Sequence, residues 1–501
     1  MVHSKTFKHL LFLAAAFLCG CSQDDALMVN ESETETPIET VNVTFRLQSN
    51  QTSTMTRSVE DSHSHVQGNA DEYKVNTARV YLFDAPTKLF TKSFLLTNLK
   101  RSGSDAEGNV IYETESVSVP QGTYDIFVTA NTSRVINKET EDQFLADIDS
   151  LTYTKAQIDD ISAGIVMSNR ASANLSTVIA KEEDNNTVNV VNIELERVLA
   201  RLDVAVGADA FPLTTDEGTQ YATVKLDGFY VVNLAKYYYS YRHTAVLTSL
   251  TEPEWNVNTN FDNISDVNGY VIDPYFFKKK IDASGFTNAD KYYENYYGDL
   301  TNPNSAKWSA FNPASATPAY KTTYCLENCM LAPAQKNGYS TGVVFKAVIE
   351  PYNNVYHLNG TTLELISDKT KYPETLYYYG YRFFDSPEAL SAYINSTTTV
   401  TEQKTFEARK YEKTEDGYRC YYNYWVRHLD NYKPTSMGVM EFGIVRNNLY
   451  RMLVTNVSDL GYGGTGTIEI NPDTPDEGEA YLKVVLNVKP WIVRDQTNIV
   501  L

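Results

Sequence analysis

At 501 residues the chain has room for two or three domains, each able to bury a core. Its formal net charge of −20 argues against partners that need clustered Lys and Arg, namely nucleic acid and anionic lipid surfaces, and acts mainly as a solubility factor. The 37 tyrosines, together with abundant Val and Thr and recurring period-two alternation, give a β texture throughout.

Lys5 and Lys8 precede an apolar run from Leu10 to Leu18, too short for a membrane helix but of the right length for a signal peptide. Leu18-Cys19-Gly20-Cys21 follows and resembles the lipobox of bacterial lipoproteins, in which the cysteine is acylated and becomes the new N-terminus. Residues 1–20 are therefore expected to be a signal peptide and Cys21 the lipid anchor. Ser22-Gln-Asp-Asp25 resembles an acidic surface-export tag, and residues 21–40 form a polar tether. No later apolar stretch reaches the roughly 20 residues of a membrane helix.

Strands are expected at Val41 to Leu47, Arg79 to Phe83, Thr123 to Ala130, Val188 to Leu195, Arg201 to Val206, Val343 to Ile349, Tyr421 to Arg427, Leu449 to Val457 and Leu482 to Val488. Short helices are expected at Glu141 to Leu151 and Pro387 to Ile394. The pattern reads as all-β, two antiparallel sandwiches spanning 41–190 and 191–501. The first strand, 41–48, alternates Val41, Val43, Phe45 and Leu47 with Asn42, Thr44 and Arg46. A small polar loop, 49–71, follows it and carries Arg57-Ser58, a favourable protease site. Near the other end, a Gly/Pro-rich hinge (461–480) precedes a terminal strand (481–501) with Leu482, Val484, Leu486 and Val488 on one face and Trp491 behind them. A removable strand and a hinged one are the two halves of strand donation, although the same alternation suits the first and last strands of an ordinary sandwich.

Motifs with chemical potential are few. Gly461-Tyr-Gly-Gly-Thr-Gly466 leads into Thr467-Ile-Glu-Ile470 rather than a helix, so it reads as a hinge and not as a phosphate loop. His63 and His65 beside Asp61 lie in a polar linker with no framework to fix a geometry. Cys325, Cys329 and Cys420 cannot all pair within one chain, and the C-x3-C spacing of the first two finds no second ligand pair nearby, so a disulfide between two of the three is left open and a zinc site is not. No cofactor, metal or catalytic residue is assigned. The tyrosine clusters at 237–241, 292–297, 377–381 and 421–424 could pack in sheets or serve adhesion to a glycan or host protein.

Phe442-Gly-Ile-Val-Arg446-Asn-Asn448-Leu-Tyr450, Ser458-Asp-Leu-Gly461 and Val484-Val-Leu-Asn-Val-Lys-Pro490-Trp491 resemble the C-terminal signature of the Bacteroidia fimbrillins, the type V pilins, and within them the Mfa-type shaft subunits. Tyr124-Asp-Ile-Phe-Val-Thr-Ala-Asn131 and Glu196-Arg197-Val-Leu-Ala200-Arg201 match further family positions. The resemblance implies two transthyretin-like sandwiches in a structural subunit, not an enzyme, exported as an outer-membrane lipoprotein. It implies cleavage by an arginine-specific protease, polymerisation into an adhesive surface fimbria by donor-strand exchange, and related anchor and tip subunits as partners. Carried onto this sequence, the cleavage falls between Arg57 and Ser58, with Arg46 as the nearest competitor. The alternatives are a monomeric surface lipoprotein that binds through its tyrosines, or an anchor or tip subunit.

Overall fold

In the computed structural model, the described residues are 39–49, 70–104, 110–150, 161–169, 176–181, 189–246, 269–279, 291–296, 308–312, 317–331, 334–335, 339–397, 409–429, 433, 438, 440–463 and 482–490. Strands dominate, and the helices are short. Where apolar residues alternate, one face of each strand enters a core and the other meets solvent or a second layer. All nine expected strands form, at Thr40–Ser49, Ala78–Asp84, Gly122–Ala130, Asn189–Arg197, Ala200–Val206, Gly342–Pro351, Gly417–Trp425, Asn448–Val457 and Leu482–Pro490.

The first ten-stranded sheet runs from Phe90–Leu96 through Ala78–Asp84, Gly122–Ala130, Met167–Asn169, Asn189–Arg197, Thr40–Ser49 and Val110–Glu113 to Lys100–Ser104. Val80, Leu82, Ile126 and Val128 from one half share a core with Val43, Phe45, Leu47 and Ile193 from the other. The sheet therefore folds over on itself and its halves pack as two layers.

The second core lies between two sheets. Ala200, Leu202 and Val204 with Tyr450, Met452 and Val454 come from a four-stranded sheet, and they meet Val224, Phe345, Ala347 and Tyr422 of a second ten-stranded sheet. Strand Asn189–Arg197 completes the first sheet and Ala200–Val206 opens the second core, so the changeover between the two sheets lies between Arg197 and Ala200.

The helix expected over 141–151 is only Glu141–Leu145, N-capped by Thr140, whose hydroxyl accepts from Gln143 N at 3.4 Å. Ile148–Ser150 instead pairs antiparallel with Tyr237–Tyr239, a long-range partner that local periodicity does not reveal. The second helix forms at Pro387–Thr397. No helix among the described residues is long and apolar enough to cross a membrane.

Candidate functional site: the seat of the first strand

Strand Thr40–Ser49 lies inside its sheet, with ladders on both sides. On one side it runs parallel to Asn189–Arg197, from Val43 opposite Asn189 to Ser49 opposite Leu195. On the other, Thr40 to Val43 pair antiparallel with Val117–Pro120 and Arg46 to Ser49 with Val110–Glu113. Between those two antiparallel stretches Thr114 bridges the gap: its Oγ1 accepts from Phe45 N at 3.0 Å, and its N donates to Phe45 O at 3.1 Å. Withdrawing the strand would leave three flanking segments with unpaired backbone groups, which is costly unless another strand replaces them.

The side chains follow the alternation. Val43, Phe45 and Leu47 are fully buried, and Val41 is partly buried against the same core. Arg46 points the other way and pairs with Glu113 at 2.6 Å, with both side chains partly exposed. The Arg46 backbone is engaged in both ladders, so a protease could not take it into an extended active site without dismantling the sheet. Cys21, Arg57, Ser58, His63, His65 and Trp491 lie outside the described residues.

The terminal strand Leu482–Pro490 occupies an edge of the four-stranded sheet, antiparallel to Asn448–Val457. Leu482, Val484, Leu486 and Val488 stand at register positions opposite Val457, Val454, Met452 and Tyr450, all four of them buried core residues. In this state the strand belongs to its own sheet. At the start of the expected hinge, Tyr411 Oη donates to Gly461 O at 2.9 Å and Tyr421 and Tyr462 exchange backbone hydrogen bonds, while residues 464–481 lie outside the described residues. A Cβ on Gly461 would come within 2.3 Å of Tyr421 O, which explains the glycine by close approach rather than by flexibility. Asp459, just before it, accepts from Tyr221 Oη at 2.9 Å and from Arg409 Nη1 at 2.8 Å, so Ser458-Asp-Leu-Gly461 is an anchor point.

A buried charge network ties the first sheet to the second core. Glu72, in a short 3-10 turn at Ala70–Glu72 that ends the expected loop, is fully buried. Its carboxylate accepts from Arg201 Nη1 at 3.0 Å and from Tyr324 Oη at 2.7 Å, while its carbonyl accepts from Arg197 Nε at 2.6 Å. Arg197 Nη1 also donates to Asn447 Oδ1 at 3.0 Å. Arg201 forms a two-pronged contact with Asp203, Arg242 pairs with Glu196 at 2.7 Å, and Arg446 pairs with Glu327 at 2.7 Å.

Burial lowers the Arg197 guanidinium to about 10. Burial also acts downward on Arg201 and Arg446, but it is outweighed by Asp203 and Glu72 in the first case and by Glu327 and Glu196 in the second, so both are raised. The motif residues Glu196, Arg197, Arg201, Arg446 and Asn447 thus have a physical role that their spacing did not reveal. The available signal was the placing of arginines and asparagines within otherwise apolar runs.

Other candidates resolve as packing. Tyr238, Tyr239, Tyr241, Tyr293, Tyr378, Tyr421 and Tyr422 are buried, which removes much of the surface that a tyrosine-based adhesion face would need. Cys325, Cys329 and Cys420 are buried free thiols, and burial pushes Cys420 up to about 12. Cys325 and Cys329 belong to different core clusters, and no group of potential metal ligands gathers among the described residues.

Comparison with known proteins places these features in a family. Residues 40–201 match the family model described as major fimbrial subunit protein (FimA). Residues 411–497 match the model described as major fimbrial subunit protein type IV, fimbrillin, C-terminal. A fimbrilin from Porphyromonas gingivalis is similar at 16% identity over 92% of this chain and 100% of its own, with a TM-score of 0.41. The tip fimbrial protein Mfa3 of the same organism, with a C-terminal truncation, is similar at 12% identity over 90% of this chain and 100% of its own, with a TM-score of 0.37. Its fimbrial anchor protein Mfa2 gives 11% identity over 62% and 78%, with a TM-score of 0.23. Among curated protein sequences no match was found. With its first strand and sheet changeover inside one family model and its closing strands inside the other, the chain belongs to the fimbrillins, the major fimbrial subunit proteins.

Proposed function

We propose that this fimbrial structural subunit is exported as a lipoprotein acylated on Cys21, cut between Arg57 and Ser58 by an arginine-specific protease, and polymerised by strand exchange into the shaft of a surface fimbria. In the exchange, the terminal strand with Leu482, Val484, Leu486, Val488 and Trp491 fills the seat that Val41, Val43, Phe45 and Leu47 leave in the next subunit. The observation that carries this reading is the position of Thr40–Ser49 between two ladders, where it pairs the backbone of three flanking segments. A seat of that kind accepts any strand with the same alternation and comparable apolar side chains. The terminal strand matches it in alternation, and at the edge of its own sheet it is held, among the described residues, by one ladder. Before assembly it rests there, and on assembly it exchanges that place for a two-sided one.

The test is Arg57→Ala. Cells carrying it should accumulate a lipidated, folded precursor that migrates as a monomer in mild detergent, while the wild type gives a heat-sensitive ladder. Arg46→Ala should be processed and assembled normally. Normal fibres from Arg57→Ala would overturn the cleavage assignment, and a wild type that runs as a monomer under both mild and harsh treatment would overturn polymerisation itself.

A further inference from the structure

Strand Gly269–Ile272 leads into Asp273 and a 3-10 turn at Phe276–Lys279. Asp273 Oδ1 accepts from Tyr275 N at 2.8 Å, and its carbonyl accepts from Phe276 N at 3.0 Å. This turn brings Lys279 back over Asp273. Lys279 Nζ, on a side chain only 1% exposed, donates to Asp273 Oδ2 at 2.6 Å, to Asn328 Oδ1 at 2.8 Å and to Cys329 O at 3.0 Å. Asn328 is itself fully buried and fixed by a two-way backbone bridge to Ile444. Phe276, Cys329 and Met330 surround the cluster with apolar core.

The orientation of the Asn328 carboxamide follows from its neighbours. Its Nδ2 donates to Tyr339 O at 2.7 Å, to Thr341 Oγ1 at 2.8 Å and to Asn233 O at 3.4 Å. Two of these are carbonyls, which can only accept, so the nitrogen must face them and the oxygen must face the amine. The carbon Cγ is then one bond away from an atom that Nζ already touches. Asp273 Oδ2 is held in place by Cys329 N at 2.7 Å, and Tyr293 Oη lies 3.4 Å from Asn328 Oδ1 as a donor for negative charge on that oxygen.

We propose that Lys279 and Asn328 become joined by an intramolecular isopeptide bond, with Asp273 as the base that activates the amine. A proton passes from Nζ to Asp273 Oδ2, exchanging a buried ion pair for two neutral groups and freeing the nitrogen lone pair. The lone pair attacks Cγ and a Nζ–Cγ bond forms, while charge gathers on Oδ1 beneath the Tyr293 hydroxyl. The Cγ–Nδ2 bond then breaks, and the leaving nitrogen takes a second proton from Nζ and departs as ammonia. The first proton stays on Asp273. Atoms and charge balance without an oxidant, a metal or any external reactant, and water-excluding burial protects both the amine and the new amide.

The test is a tryptic peptide map of the natively folded full chain by mass spectrometry. The expected result is a branched peptide containing Lys279 and Asn328, lighter by one ammonia than the sum of its two arms, with no cleavage after Lys279. Lys279→Arg and Asp273→Asn should each give two separate linear peptides. If either variant fails to fold, the wild-type map alone decides. Linear peptides of unmodified mass from the wild type would show that the amine only satisfies its three acceptors, and would overturn the proposal. A branched peptide that persists in Asp273→Asn would overturn the role given to Asp273.

Discussion

Phe45 is fully buried in a strand that the proposed maturation removes, so Phe45→Ala should weaken the precursor and leave the fibre unchanged. Truncating a fully buried phenylalanine costs about 3–5 kcal/mol. Val43 and Leu47 are equally buried, and at about 1.5–3 kcal/mol for each of the three side chains the strand contributes roughly 5–9 kcal/mol, comparable with the whole stability of a domain. A cut in the following loop therefore does not by itself eject the strand, which stays seated until another takes its place. Ile193, opposite Leu47 in the neighbouring strand, is the control, because it remains in the fibre. Ile193→Ala should cost about 2–5 kcal/mol in the precursor and also lower the temperature at which fibres dissociate. Urea denaturation of both precursors, followed by heat dissociation of the fibres they form, makes the comparison. A precursor loss below about 1 kcal/mol for Phe45→Ala, or fibres weakened as much as those of Ile193→Ala, would refute the reasoning.

Two more outcomes are expected. Leu486 stands at the register position of buried Met452 and Asn487 opposite Arg451, so Leu486→Asp should abolish the heat-sensitive ladder at a cost of several kcal/mol, while Asn487→Asp should assemble normally. Equal assembly by both would move the donated strand elsewhere in the chain. Burial, and then the neighbouring Asp125, raise the Glu141 carboxyl from 4.5 to about 7. A carboxyl raised in the fold favours the folded state while protonated, so this contribution is complete below 4.5 and is lost as pH rises through about 7. Glu141→Gln should flatten the stability profile across that window in thermal melts, and an unchanged slope would contradict the assignment.

Much of the fold was legible because strand alternation is a local property. Val43, Phe45 and Leu47 announce a buried face without any knowledge of what they face, and each expected strand formed with its ends shifted by a few residues. What was not legible depends on distant partners. Ile148–Ser150 continues a helix-like run until Tyr237–Tyr239 supplies a ladder, and tertiary pairing overrides local propensity there. Glu72 directly follows the expected polar loop 49–71, yet it is buried because Arg201 and Tyr324 converge on it from far along the chain. Lys279 sits among three consecutive lysines, and the turn at Phe276–Lys279 brings it into a buried position. The glycines of 461–463 suggested freedom of movement, whereas Gly461 is there because Tyr421 O leaves no room for a side chain.

The proposed exchange requires a seat that keeps its shape while it is empty, and the charge network supplies a reason that it would. One wall of the seat, Asn189–Arg197, ends in Glu196 and Arg197, which are bound to Arg242, Asn447 and the Glu72 carbonyl. Breaking such buried pairs one at a time typically costs 3–5 kcal/mol, so the wall is fixed at its far end by interactions that the departing strand does not share. Glu72 lies beyond Arg57, on the part of the chain that would stay after the proposed cut, so cleavage there would leave the network whole. Had Glu72 preceded the cleavage site, removal of the first strand would also have left Arg201 without one of its carboxylates and Tyr324 without its acceptor. In the proposed maturation, the order first strand, cleavage loop, anchor separates what would be discarded from what holds the two cores together.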